Sequence, residues 1–100
     1  MIGKLDNYTI DSKEVIEISS GRAAEDQQFL NALGKRIRKL RVNKEWTQER
    51  LAFKSNLDRT YIGGIERGER NPTALNLKKI ADALKVPLEH VLTENSEEKE

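Results

Sequence analysis

The chain has 100 residues, of which 36% are hydrophobic and 35% are charged, and its net charge is +1. This length and apolar content suit one small domain with looser segments outside it. There is no cysteine and one histidine, which excludes disulfides and thiolate metal sites, so we expect no metal and no cofactor.

The N-terminal stretch MIGKLDNYTI is mixed and polar, which is unlike a signal peptide. No apolar run approaches the roughly 20 residues of a membrane span. These features predict a cytoplasmic protein that does not enter a membrane.

Charge is distributed unevenly along the chain. Residues 1–34 have a net charge of −3, residues 35–70 hold eleven basic and five acidic side chains for a net charge of +6, and residues 71–100 have a net charge of −2. A cationic block of this density favours a polyanionic partner over a merely solvated helix face.

The first predicted helix covers residues 26–43, because Leu30, Leu33, Ile37 and Leu40 recur at helical spacing. Before it, residues 1–24 form an arm that we expect to be flexible or weakly β. Its β-branched runs, at residues 8–10 and 15–18, predict two short strands of marginal stability.

The second predicted helix covers residues 48–55, with Thr47 as its N-cap and Asn56 as the left-handed residue that ends it. After a tight turn, Asp58 is the N-cap of a third helix over residues 59–67, which Gly68 stops.

Thr73 caps a fourth predicted helix over residues 74–84, and Pro87 occupies the first position of a short fifth helix over residues 87–92. We therefore place an all-helical domain at residues 25–92. Residues 93–100 are polar and acidic, which predicts a disordered tail.

Two adjacent glycines, Gly63 and Gly64, lie in the middle of the third predicted helix. Each costs a helix about 1 kcal/mol relative to alanine, so their presence needs a reason. At 100 degrees per residue they point away from the apolar Ile62 and Ile65, which predicts that both are exposed.

Four segments in this order, LGKRIRKLR, WTQERLA, DRTYIGGIERGERNP and NLKKIADALKVPLEHVL, closely resemble the Cro/CI-like (XRE) repressor family over about residues 29–92. KSNLDRTYI and GIERGERN also resemble the controller proteins of restriction-modification systems, a subgroup of that family. The resemblance implies a five-helix, lambda repressor-like fold with a helix-turn-helix. Glu45 and Asn56 stand where the family usually has glycine.

The resemblance also assigns roles to individual residues, because it places the third helix in the major groove of DNA. It implies base reading by Arg59, Thr60 and Tyr61, close approach to DNA at Gly63 and Gly64, and backbone contacts from Thr47, Gln48, Arg67, Arg70 and Asn71. It implies a structural ion pair between Arg41 and Glu66. Leu88, Val91 and Leu92 belong to the core, to a dimer seam, or to both. From the residues alone, we expect at least half of the four basic side chains Lys35, Arg36, Arg38 and Lys39 to be an ordinary solvated helix face.

The leading hypothesis is a homodimeric transcriptional regulator that binds a palindromic operator in double-stranded DNA. An alternative is an antitoxin-like DNA-binding protein whose acidic N-terminal arm binds a partner protein. An enzyme is not expected, because no nucleophile, base and orienting group occur together and His90 has only a surface position.

Overall fold

The computed structural model describes the backbone of residues 12–93 and the side chains of residues 23–93. The all-helical fold predicted for residues 25–92 is confirmed, and no strand occurs within residues 12–93. Its five helices are α1 (Ser12–Asn43), α2 (Gln48–Ser55), α3 (Arg59–Glu66), α4 (Ala74–Leu84) and α5 (Leu88–Leu92).

Helices α2, α3 and α4 begin where their predicted N-caps lie. Thr47, Asp58 and Thr73 have extended backbones, and their side-chain oxygens accept hydrogen bonds from the main-chain N–H groups of Arg50, Thr60 and Asn76, at 3.0, 3.0 and 3.1 Å. Each cap satisfies a donor that the first turn of a helix leaves unpaired. The predicted bounds of α2 and α4 are confirmed at both ends.

Helix α3 ends in a Schellman motif centred on Gly68. Gly68 has a φ of 78°, its N–H donates to Ile65 O at 3.0 Å, and the N–H of Glu69 donates to Gly64 O at 2.8 Å. The helix therefore stops at Glu66, one residue before the predicted end, with Arg67 as its C-cap.

Three other helices end at left-handed residues that are not glycine. Asn56, Lys85 and Glu45 have φ values of 59°, 61° and 61°. The predicted role of Asn56 is confirmed. Helix α1 ends at Asn43 as predicted, and Glu45 adopts the conformation for which the family's usual glycine is suited.

Helix α1 is longer than predicted, because it begins at Ser12 and not near residue 26. The strand predicted at residues 15–18 is wrong, since this backbone is helical. The β-branched residues there are outweighed by the good helix formers that follow them and by the packed half of the same helix, from which the helix propagates. The strand predicted at residues 8–10 and all but the first residue of the tail predicted at residues 93–100 lie outside the described residues. Most of the arm proposed to bind a partner lies outside the described side chains.

The core lies between all five helices. Leu33 and Ile37 of α1, Leu51 of α2, Ile62 and Ile65 of α3, Ile80 and Leu84 of α4, and Val91 of α5 are its fully buried large side chains. Burying each contributes about 1.5 to 3 kcal/mol. Val91 therefore belongs to the core, and Leu88 and Leu92 are partly buried against it.

Arg36 of α1 links this helix to α5 through two hydrogen bonds. Its Nε donates to Val91 O at 2.7 Å and its Nη2 to Leu92 O at 2.8 Å. These carbonyls belong to the last turn of α5, where a cation is favourable to the helix dipole. Arg36 thus has a structural role beyond the solvated face predicted for its segment.

No helix within residues 12–93 is both long and apolar enough to cross a membrane.

Candidate nucleic-acid interface

Helices α2 and α3 form a helix-turn-helix. After Ser55 the chain turns through Asn56, and the N–H of Leu57 returns to Ala52 O at 2.9 Å. Asp58 then starts α3. Because a left-handed residue and an N-cap define both sides of this three-residue turn, the relative direction of the two helices is set by local chemistry.

Gly34 brings the backbone of α1 directly against the end of α3. A methyl group at this position would lie 2.6 Å from Glu66 O and 2.8 Å from Glu66 C. Those atoms belong to the main chain and cannot rotate away. The helical periodicity of α1 does not indicate this packing role, because the role depends on which helix crosses α1 at Gly34.

The ion pair predicted between Arg41 and Glu66 is present and bidentate. Arg41 Nε and Nη2 donate to the two carboxylate oxygens at 2.7 and 3.0 Å, and Nη1 donates to Trp46 O at 2.6 Å. The side chains are 9% and 2% exposed. Gln48 Nε2 also donates to Glu66, at 2.9 Å. Helices α1, α2 and α3 are therefore joined by one buried polar network.

This network uses the side-chain amide nitrogen of Gln48, which the prediction assigned to a phosphate. In the structure that nitrogen lies against Glu66. The main-chain N–H of Gln48 opens the first turn of α2, a position where helices leave donors for other partners. Thr47, also predicted at the DNA backbone, is exposed and uses its hydroxyl as the N-cap.

The N-terminal end of α3 presents two exposed side chains, Arg59 and Thr60. Arg59 Nε is 3.9 Å from Glu49 Oε2, and the two side chains are 59% and 76% exposed. An ion pair as open as this contributes little to stability. Two of the three predicted base readers are thus accessible at the start of the helix.

Tyr61 is in a different environment from its two predicted neighbours. It is partly buried against the core, and its hydroxyl accepts a hydrogen bond from Asn76 Nδ2 at 3.0 Å. The Arg70 guanidinium carbon lies 5.8 Å from the centre of its ring. Tyr61 therefore links α3 to α4 and supports an arginine, which the helical spacing alone did not indicate.

The predicted exposure of Gly63 and Gly64 is wrong, because both are buried. A methyl group at Gly63 would lie 3.1 Å from Arg67 Nη1 and 3.3 Å from Gln48 Oε1, and one at Gly64 would lie 2.7 Å from Arg70 Cγ. The glycines do point away from the apolar core. They are covered there by polar side chains from α2 and from the segment after α3, which the periodicity of α3 cannot show.

Arg67, Arg70 and Asn71 are exposed beyond the C-terminal end of α3, as their predicted backbone contacts require. Arg67 Nε lies 3.0 Å from Glu69 Oε2. The hydrogen bond between them, helped by their opposite charges, raises the pKa of the Arg67 guanidinium and lowers the pKa of Glu69. Arg67 is thus an exposed cation that pairs with the acid two residues further along the chain.

Trp46 is surrounded by cations that the sequence analysis did not connect with it. Lys44, Arg50 and Lys54 have charged groups 5.3, 5.9 and 6.0 Å from its ring centre. The i, i+4, i+8 spacing of Trp46, Arg50 and Lys54 was the signal that could have grouped them. This cluster concentrates positive charge beside the start of α2.

The described side chains contain no group of three or more histidine, aspartate or glutamate residues placed to hold a metal ion. The exposed groups around α2 and α3 are mainly guanidinium, ammonium, hydroxyl and amide donors. A helix-turn-helix surrounded by such donors defines the class of the protein as one built to contact a polyanion.

The comparisons with known proteins agree with this class. The helix-turn-helix family profile matches residues 37–91, and the chain belongs to that family. A Neisseria meningitidis protein described as a hypothetical transcription factor is 47% identical over 62 residues, which are 61% of this chain and 58% of that protein. The chain thus spans somewhat more than half the length of this relative.

Solved structures of restriction-modification controller proteins are also similar. C.AhdI from Aeromonas hydrophila has a TM-score of 0.62 and 47% identity, covering 62% of this chain and 94% of its own. C.Esp1396I, solved as a tetramer in complex with its 35-base-pair operator, has a TM-score of 0.57 and 42% identity, covering 65% of this chain and 96% of its own. The resemblance seen in the sequence, to this family and to its controller proteins, is confirmed.

Proposed function

We propose that this chain is a sequence-specific DNA-binding transcriptional regulator that acts as a homodimer on a palindromic operator. One observation carries the proposal: the N-terminal end of α3 presents exposed Arg59 and Thr60, while its other end is held to α1 by the buried Arg41–Glu66 pair. A helix that is held by packing at its C-terminal end and exposes side chains at its N-terminal end is suited to reading a DNA groove. Such a regulator works at the nucleoid, in the cytoplasm.

The base-reading contacts fall to Arg59 and Thr60, with Tyr61 at the flank. A guanidinium can pair in a bidentate manner with a guanine, which is worth about 1 to 3 kcal/mol of discrimination. Contacts to the DNA backbone fall to Arg67, Arg70 and Asn71 on one side and to Thr47 and the Gln48 N–H on the other. These contacts supply affinity that is independent of sequence and falls with salt.

Two considerations support the homodimer: a single recognition helix is short compared with an operator, and a related controller protein binds its operator as an oligomer. One α3 reaches a single stretch of major groove, and two copies related by a two-fold axis would reach grooves about 34 Å apart. Leu88 and Leu92 are partly buried and supply apolar area for the contact, whereas Val91 is inaccessible. The related C.Esp1396I binds its operator as a tetramer.

Selection of bound fragments from a random pool tests the proposal, because it gives the operator and its symmetry. Binding of the selected duplex and a random duplex is then measured across salt concentrations. Arg59→Ala should lose about 1 to 3 kcal/mol of discrimination at one base pair. Arg70→Ala should weaken both duplexes alike and reduce the salt slope by about one.

Lys78→Ala is the matched control, because Lys78 is an exposed cation on α4 that pairs with Asp82 and lies outside the proposed contacts. It should bind both duplexes as the parent does. The placement of α3 is wrong if Arg59→Ala and Arg70→Ala also behave like the parent. Enrichment of a site without two-fold symmetry would argue against the homodimer.

A further inference from the structure

Gly64 carries a role that its predicted contact with DNA does not describe. We propose that Gly64 is a positioning residue: by lacking a side chain, it lets Arg70 lie flat against α3 and so sets where the Arg70 guanidinium meets the DNA backbone. The inference rests on the proposed function and adds to it how one of the phosphate contacts is held in place.

The stem of Arg70 runs directly over Gly64. A methyl group at Gly64 would lie 2.7 Å from Arg70 Cγ, 3.4 Å from Nε and 3.6 Å from Cδ. The first distance is shorter than carbon atoms tolerate without bonding, since their optimal separation is about 3.5 to 4.0 Å. Any side chain at position 64 therefore requires Arg70 to change rotamer at its base.

The backbone and the guanidinium group of Arg70 are both held in place. The N–H of Glu69, the residue before it, donates to Gly64 O at 2.8 Å, which fixes the backbone from which the side chain leaves. At the other end the guanidinium lies over the ring of Tyr61, which Asn76 holds through its hydroxyl. An exposed arginine is thus ordered before any ligand arrives.

Order of this kind favours binding, because an arginine that is already immobilised loses less rotamer entropy when it meets a phosphate. A freely moving arginine would carry the same charge but would lose more entropy on contact. The glycine therefore increases affinity without touching the DNA.

Gly63 provides the contrast, although it is the neighbouring residue in the same helix. A methyl group there would approach only the ends of side chains, Arg67 Nη1 at 3.1 Å and Gln48 Oε1 at 3.3 Å. The ends of long side chains move by small rotations, so Gly63→Ala leaves both of them able to adjust. Both substitutions give the helix the same gain in propensity.

The experiment is a double-mutant cycle on the full chain. Gly64→Ala and Gly63→Ala are each made in the parent and in Arg70→Ala, and the dissociation constant is measured for the selected operator and for a random duplex of equal length. Arg70→Ala should weaken both duplexes by about tenfold or more, the scale of one charge-assisted hydrogen bond, and Gly64→Ala should weaken both by about two- to tenfold, the scale of ordering one long side chain. In the Arg70→Ala background Gly64→Ala should change nothing further. Gly63→Ala should change binding by the same factor, within about twofold, in both backgrounds, because the atoms nearest to its methyl group belong to Arg67 and Gln48 and not to Arg70.

Equal weakening by Gly64→Ala with and without Arg70 would overturn the proposal, because the methyl group would then be meeting DNA or disturbing the fold. Parent-like binding by Gly64→Ala would also overturn it. If Arg70→Ala binds as the parent does, Arg70 is not a contact and the inference fails, while Arg59→Ala still tests the proposed function. A parent that binds no duplex refutes the proposed function itself.

A measurement on the free protein covers the case in which Gly64→Ala does not fold. In the parent, NMR relaxation of the Arg70 Nε–Hε group should show order close to that of the backbone. A mobile Arg70 Nε–Hε group in the parent would overturn the proposal whatever the variants do.

Discussion

The buried Arg41–Glu66 pair leads to a quantitative prediction about stability. Arg41→Ala removes both hydrogen bonds from Arg41 to Glu66 and leaves the carboxylate, 2% exposed, with the Gln48 amide as its remaining partner among the contacts described above. Stranding a buried charge in this way costs about 3 to 5 kcal/mol. Because a small domain has only about 5 to 15 kcal/mol of stability, the variant should lose between about a fifth and all of it.

Removing both charges together should cost less than removing either one alone. A buried ion pair that is replaced by apolar residues of similar volume is often neutral or stabilising, since the desolvation of both ions is avoided. We therefore expect Arg41→Met with Glu66→Met to be more stable than Arg41→Ala. Urea unfolding followed by circular dichroism gives the free energies, with Lys78→Ala as a control, because its exposed pair with Asp82 is worth about 0.3 to 0.5 kcal/mol. The reasoning would be refuted if Arg41→Ala cost no more than Lys78→Ala, or if the double variant were no more stable than Arg41→Ala.

Two further substitutions test the backbone of the domain. Gly34→Ala should lower the thermal midpoint, because its methyl group would lie 2.6 Å from Glu66 O. The resulting overpacking costs about 1 to 3 kcal/mol, which exceeds the gain in helix propensity of about 1 kcal/mol. A midpoint at or above that of the parent would show that α1 and α3 can separate without cost. Glu45→Gly should raise the thermal midpoint, since Glu45 has a φ of 61° and a left-handed conformation costs a residue with a Cβ atom about 1 kcal/mol. Glu45→Ala, which keeps the strain, should give no such gain, and equal stability of the two variants would contradict the explanation.

The sequence by itself determined the helices and their ends where the signals are local. Thr47, Asp58 and Thr73 each bond to a main-chain N–H two or three residues away, so their effect does not depend on the rest of the fold. The left-handed Asn56 belongs to the same group. The Arg41–Glu66 pair was anticipated from the resemblance to a family, because charge and helical face alone left Arg41 without a named partner.

Only the tertiary structure decided what covers each helix face. The periodicity of α3 correctly predicted that Gly63 and Gly64 face away from the apolar core. It could not show that Gln48, Arg67 and Arg70 lie over them. The contacts of Gly34 with α3 and of Arg36 with the end of α5 join residues that are far apart in sequence. The early start of α1 was missed because a helix propagates from a packed segment into residues whose own preference is weak. Local hydrogen bonds are encoded within a few residues of sequence, so the helix-turn-helix was predictable. Burial depends on which distant segment packs against a helix, so the position of Arg70 over Gly64 was not.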